Sequence, residues 1–236
     1  MVFDAHMHVG DFPMFGVSLD GPGLQTAMDE AGVDDGVVFH PDNDLVARTV
    51  SELGSVHALF WANPRIDNVV AECSRLLDRE EFVGVKLHPL LDGYHPNDPA
   101  VHPIMEVLRD QGGAALIHCG HPIFTLPWSI EELVVEFPDV PVILGHMGHG
   151  NIIYINAAID VAERNANVYL ETSGMPMHTK IVEAVHRVGR ERVLFGSDAP
   201  FHDMMVELLK VRRSGLSDDD LEWVEGRSAE QLFLGR

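Results

Sequence analysis

The 236-residue chain reads as an α/β protein, a single (β/α)8 TIM barrel that is compact and has few insertions. Three observations predict this. Short apolar runs alternate with longer segments of helical period eight times over. The runs are apolar throughout, as strands of a closed parallel sheet must be when both of their faces are covered. Histidines recur at the ends of these runs. An open doubly wound sheet would use the same runs, but Gly10-Asp11-Phe12-Pro13 after the first of them lacks the Gly-x-Gly-x-x-Gly phosphate turn.

The first run, residues 2–9, carries His6 and His8. Alternate residues of a strand share a face, so the two imidazoles point the same way and make half of a metal site. Residues 11–22 read as a loop punctuated by Gly and Pro, and residues 24–31 as a helix stopped by Gly32. Further strands are expected at 36–40, 56–62, 82–88, 115–118, 142–145, 168–171 and 193–196. Segments of helical period fill the gaps at 42–53, 67–78, 101–111, 129–137, 152–165 and 180–188. Ser217, ahead of three aspartates, starts another helix with carboxylates at the positive end of its dipole. No linker, low-complexity tract or close repeat divides the chain, so residues 1–236 are expected to form one domain.

The formal charge of −21 argues against nucleic acid and anionic membranes as partners, since both need a basic face. A hydrophobic content of 46% can supply a large core. No run reaches the ~18 apolar residues of a membrane span, and the chain starts directly on a strand. Cys73 and Cys119 have neither zinc-finger nor paired spacing. A cytoplasmic protein acting on a small molecule is expected, with a homo-oligomeric state left open.

In such a barrel the active site lies at the C-terminal ends of the strands. His6 and His8 end the first strand, His40 the second, Lys86 and His88 the fourth, His118 the fifth and His146 the sixth; Asp198 follows the eighth. His95, His121, His149, His178 and His202 lie in adjoining loops, and only His57, His102 and His186 are remote.

His6-Met7-His8, Gly84-Val85-Lys86-Leu87-His88-Pro89, Ile117-His118-Cys119-Gly120, Gly145-His146-Met147-Gly148 and Phe195-Gly196-Ser197-Asp198-Ala199-Pro200 resemble the successive signatures of the amidohydrolase superfamily. The resemblance is greatest to its amidohydrolase-related branch of metal-dependent hydrolases and nonoxidative decarboxylases, and it covers the whole chain. One departure is Ser228, where the family commonly has Asn before the Ala.

The resemblance implies a divalent metal, Zn²⁺ first with Fe²⁺ or Mn²⁺ as alternatives, held by His6, His8, His118 and Asp198. It implies a metal-activated water, with Asp198 moving the proton and His146 orienting the water or polarising a carbonyl. The expected reaction is hydrolysis of an amide, ester or lactone. The first alternative is nonoxidative decarboxylation of a small carboxylic acid, placed second because the family's decarboxylases are generally longer and carry insertions around the site. The other alternative is a catalytically inactive binding barrel.

Lys86 shares the His88 face of its strand, where an amine beside a cation is costly. It either stays neutral or pairs with Asp4 or Glu171, or it forms a carbamate bridging two metals, the second held by His118 and His146. One metal per chain is expected, because the branch resembled is mostly mononuclear. Candidate substrate contacts are His88, Tyr94, Trp128, His202 and Arg65, whose planar fork suits a carboxylate.

Overall fold

A computed structural model describes residues 1–235. Eight parallel strands form one sheet in sequential order: β1 (Phe3–His8), β2 (Asp35–Phe39), β3 (His57–Trp61), β4 (Phe82–Leu87), β5 (Ala114–His118), β6 (Val142–Gly145), β7 (Val168–Glu171) and β8 (Val193–Leu194). The last strand returns to the first. Ala5 N donates to Phe195 O (2.9 Å), Asp198 N to His6 O (2.7 Å) and His8 N to Ala199 O (2.7 Å), which closes the barrel.

Helices cover the outside in the expected alternation: Gly21–Ala31, Asn43–Leu53, Val69–Leu77, His102–Gln111, Pro127–Glu136, Ile152–Arg164, His178–Val188 and Met204–Arg212. Local chemistry sets their ends. Asp20, Asp42, Asn151 and Asp203 each accept a first-turn backbone N–H, and Gly32 and Gly54 end their helices in the left-handed region. Ser217 caps Asp218–Glu222 as expected. Among the described residues no helix is long and apolar enough to cross a membrane.

The core has two parts. Phe3, Ala5, Val37, Phe39, Leu59, Trp61, Ala114, Leu116, Ile143 and Leu194 fill the barrel, and Phe233 joins them from the terminal helix. A larger cluster, including Met7, Val38, Phe60, Val85, Ile117 and Leu144, lies between strands and helices.

Two segments differ from the sequence expectation. Within the expected loop, Gly10–Phe12 and Val17–Leu19 pair as an antiparallel hairpin. Strands of three residues carry too few alternations to show a period. The expected strand 193–196 is regular for two residues only. Beyond them a Cβ on Gly196 would meet Glu171 Oε1 at 2.3 Å and His6 Cβ at 2.8 Å, so the chain packs there too closely for any other residue.

The register of β1 matters most for the site. Phe3 and Asp4 face Asp35 and Gly36, whereas Met7 and His8 face Val38 and Phe39, so three steps along β1 match two along β2. This bulge changes the phase of the strand. With unbroken alternation from Phe3 and Ala5, Met7 would enter the barrel and His6 and His8 would face the helices. Instead Met7 joins the outer core while His6 and His8 line the central cavity. Gly36 makes room for the bulge, since a Cβ there would lie 2.6 Å from Asp4 O and 2.5 Å from Met7 Cε. Gly36→Ala should therefore cost about 1–3 kcal/mol and lower the melting temperature by several degrees. Gly150→Ala, where a Cβ meets nothing within 4 Å, should be silent in the same thermal melt.

Candidate active site

The C-terminal end of the barrel holds a cavity of about 240 Å³ lined by His6, His8, Phe12, Phe15, Lys86, His88, Leu90, Leu91, His118, His121, His146, His149, Asp198, Phe201 and His202. Its floor is polar. Its lining combines eight imidazoles with three phenyl rings and two leucines.

Glu171 organises the floor. It is fully buried and accepts from His6 Nδ1–H (2.7 Å), His146 N–H (3.0 Å), Ser173 Oγ–H (2.9 Å) and Ser173 N–H. A carboxylate only accepts, so His6 carries its proton on Nδ1 and presents a lone pair at Nε2. That lone pair lies 3.4 Å from Asp198 Oδ1, and His8 Nε2 lies 2.9 Å from the same oxygen. Ligand atoms of His6, His8 and Asp198 all fall within 4.8 Å of one another. Two imidazoles and a carboxylate on one side, facing an open cavity, suit Zn²⁺, Mn²⁺ or Fe²⁺.

The same logic runs through the other imidazoles. His146 Nδ1–H donates to Ser173 O (3.2 Å) and Oγ (3.0 Å), which leaves Nε2 to accept from His118 Nδ1–H (3.0 Å). His118 Nε2 then accepts from His121 Nδ1–H (2.8 Å). His88 Nδ1 accepts Leu91 N–H (3.2 Å), so its Nε2 carries the proton. Trp61, His88, His118 and His121 form a column of rings with successive interplanar angles of 14°, 17° and 19°.

Electrostatics follow burial. Desolvation, reinforced by the Lys86 charge, holds His6, His8 and His88 well below the usual histidine range. His118 and His146 are held down by burial first and then by the neighbouring His88 and His6 respectively. All five are neutral at neutral pH, the form that ligates metals. Burial pushes the Asp198 carboxyl up to about 7, opposed by Lys86, and brings the Lys86 amine down to about 8, opposed by Asp198 and Glu171. The loops after β6 and β8 adopt left-handed backbone at His146 (φ 65°), with Met147 and His149 beside it, and at Asp198 (φ 59°).

The structure sorts the sequence candidates. His6, His8 and Asp198 converge; His118 lines the same cavity but stands outside that group, facing His146 and His121. His146, His88 and His202 line the cavity, with His202 Nε2 3.7 Å from Asp198 Oδ2. Lys86 points inward, yet its Nζ donates to His6 Nε2 (3.3 Å) and sits 4.7 Å over the Phe39 ring, rather than pairing with Asp4 or Glu171. Three candidates fall elsewhere. Arg65 is exposed outside the cavity because the loop after β3 turns away, its backbone bonded to Asn63. Tyr94 is buried in the outer core, and Trp128 is 44% exposed beside Tyr154. Cys73 and Cys119 are buried free thiols, both pushed up to about 12 by desolvation. Sequence reasoning did not single out Ser173, Phe12, Phe15 or Phe201. It named Glu171 only as a partner for Lys86, although a Glu ending a buried strand is itself a signal.

The amidohydrolase family model matches residues 4–234, nearly the whole described chain. The chain belongs to the amidohydrolase family. This amidohydrolase is 28% identical over 115 residues to a gamma-resorcylate decarboxylase from Polaromonas sp. strain JS666, a match covering 42% of the chain and 35% of that relative's own length. In structure it is similar to a TIM-barrel protein of uncharacterised function from Bordetella bronchiseptica, with TM-score 0.83, 20% identity, and 100% and 99% of the two chains covered. It is also similar to a dihydroxybenzoic acid decarboxylase from Polaromonas sp. JS666 with bound manganese and the inhibitor 2-nitroresorcinol, with TM-score 0.78, 16% identity, and 100% and 97% covered.

Two measurements check this electrostatic picture. Between pH 5 and 6.5 the unfolded chain binds protons on histidines that the folded amidohydrolase keeps neutral, so stability rises with pH. Asp4 and Asp198, both raised to about 7, act in the opposite sense because the folded chain retains their protons to higher pH. Counting also the lowered His121 and His149 and the raised Asp92, seven imidazoles outnumber three carboxyls, so the melting temperature of metal-free protein should climb over that interval; a flat or falling trend would contradict neutral rings. Glu171→Gln removes the charge and puts an NH2 donor in place of one of the two accepting oxygens, so the His6 tautomer is no longer fixed, and should weaken Zn²⁺ or Mn²⁺ binding about 10- to 100-fold in competition with a chromogenic chelator.

Proposed function

We propose that this amidohydrolase is a metal-dependent nonoxidative decarboxylase of a small aromatic carboxylic acid. The observation that carries the reading is the cavity: the His6, His8 and Asp198 group forms its floor, and Phe12, Phe15, Phe201, Leu90 and Leu91 wall it. An apolar cavity of about 150 Å³ already admits benzene, and about 240 Å³ leaves room for a ring with small polar substituents. The similarity to gamma-resorcylate decarboxylase supports the same reading. Decarboxylation, the alternative from the sequence, is thus better supported than hydrolysis. The gamma-resorcylate decarboxylase is longer than this chain, as expected of the family's decarboxylases, since the 115 matched residues are 35% of its length; the reading rests on the cavity and the similarity rather than on length.

One divalent cation per chain would be held by His6, His8 and Asp198, with His118 the further candidate ligand, and would supply positive charge for the substrate's carboxylate and neighbouring oxygens. The remaining work falls to the protein. Lys86, buried behind the floor, adds positive charge on that side. His88 Nε2–H and His202 offer hydrogen bonds to polar substituents, while the phenylalanines hold the ring face and exclude water. When the bond between ring and carboxylate breaks, its electron pair stays on the ring carbon and CO₂ leaves. That carbon then takes a proton, for which Asp198, facing the cavity, is the candidate donor.

Protein loaded with Mn²⁺ or Zn²⁺ should release CO₂ from 2,6-dihydroxybenzoate or a similar hydroxybenzoate, and Asp198→Asn should lower that rate about 10²-fold or more. Turnover of lactones or amides with no CO₂ from any aromatic acid would return the site to hydrolysis.

A further inference from the structure

The bulge in β1 raises a question about what holds it. The Asp4 side chain is fully buried, and its Oδ1 accepts two backbone N–H groups: His6 N (3.0 Å) on its own strand and Ser197 N (2.9 Å) across the barrel seam. These amides belong to the first imidazole of the floor and to the residue immediately before Asp198. Asp198 N in turn donates to His6 O (2.7 Å), so the two segments are tied in both directions. The other oxygen of Asp4, Oδ2, is buried without a partner. A buried carboxylate with one oxygen unpaired is costly, and a residue serving packing alone would be better apolar.

We propose that Asp4 is a positioning residue: it clamps the bulged strand to the Asp198 loop and thereby sets the distance between the His6–His8 pair and Asp198. It touches neither the cavity nor any ligand atom, and acts through backbone alone. The inference rests on the proposed use of those three residues as metal ligands, but its geometry can be read without metal. One oxygen accepts both amides, so Asp4→Asn keeps the clamp through its amide carbonyl while Asp4→Ala removes it.

The test compares wild type, Asp4→Asn and Asp4→Ala in two ways. In metal-free protein, NMR follows the His6 Nδ1–H resonance bonded to Glu171. It should persist in wild type and Asp4→Asn and vanish or broaden in Asp4→Ala. Zn²⁺ affinity, measured by competition with a chromogenic chelator, should stay within about threefold of wild type in Asp4→Asn and fall about 10- to 100-fold in Asp4→Ala. Three results would overturn the proposal: an unchanged His6 signal in Asp4→Ala, an Asp4→Asn variant as impaired as Asp4→Ala, or an Asp4→Ala chain that does not fold, which would make Asp4 a residue of the whole barrel. Wild type that binds no metal would refute the function proposed above, and the NMR comparison would still decide the role of Asp4.

Discussion

The hydrogen bond from His6 Nδ1 to Glu171 is the contact on which the site depends. Glu171 is buried beside the barrel seam and satisfied by four donors from three residues, so its position is determined by β7 and by the loops after β6 and β7. Because it can only accept, it decides where the proton of His6 sits, and through Ser173 it decides the same for His146 and then His118. A chain of neutral rings is thereby given one set of donors and acceptors, with the His6 lone pair aimed at Asp198.

That arrangement places opposing demands on the fold. Burial keeps the imidazoles neutral, which metal ligation requires, but the same burial is unfavourable to Lys86 and Asp198, whose charges compensate each other only through the cavity. Stability near the floor is accordingly supplied from below and outside. Phe3, Leu59, Leu116 and Ile143 fill the barrel beneath the polar layer, and the helices seal the outer face. Phe39 bridges the two regions, placing its ring under Lys86 and against both His6 and His8.

The hairpin Gly10–Phe12/Val17–Leu19 gives the cavity its apolar side. Phe12 and Phe15 both meet Phe201 edge to face, and His8 contacts both Phe12 and Phe201 in the same way. The imidazole floor and the aromatic wall are therefore one packed unit.

The order of strands and helices was legible in the sequence because it depends on local properties: apolar runs, a cap such as Ser217, and a stop such as Gly32. Strand ends were legible too, which is why His6, His8, His88, His146, His202 and Asp198 were named and do line one cavity. Arg65, Tyr94 and Trp128 were misplaced because loop direction depends on packing that no local pattern records. Alternation showed that His6 and His8 share a face, but which face is decided by the bulge opposite Gly36, a register event between two strands thirty residues apart. The sequence by itself determined the barrel and the ring of histidines at its mouth, through periodicity and spacing. Only the tertiary structure decided which nitrogens carry protons, that Glu171 orients His6, and that Lys86 meets an imidazole rather than a carboxylate, because hydrogen-bond partners distant in the chain are chosen by closure of the barrel.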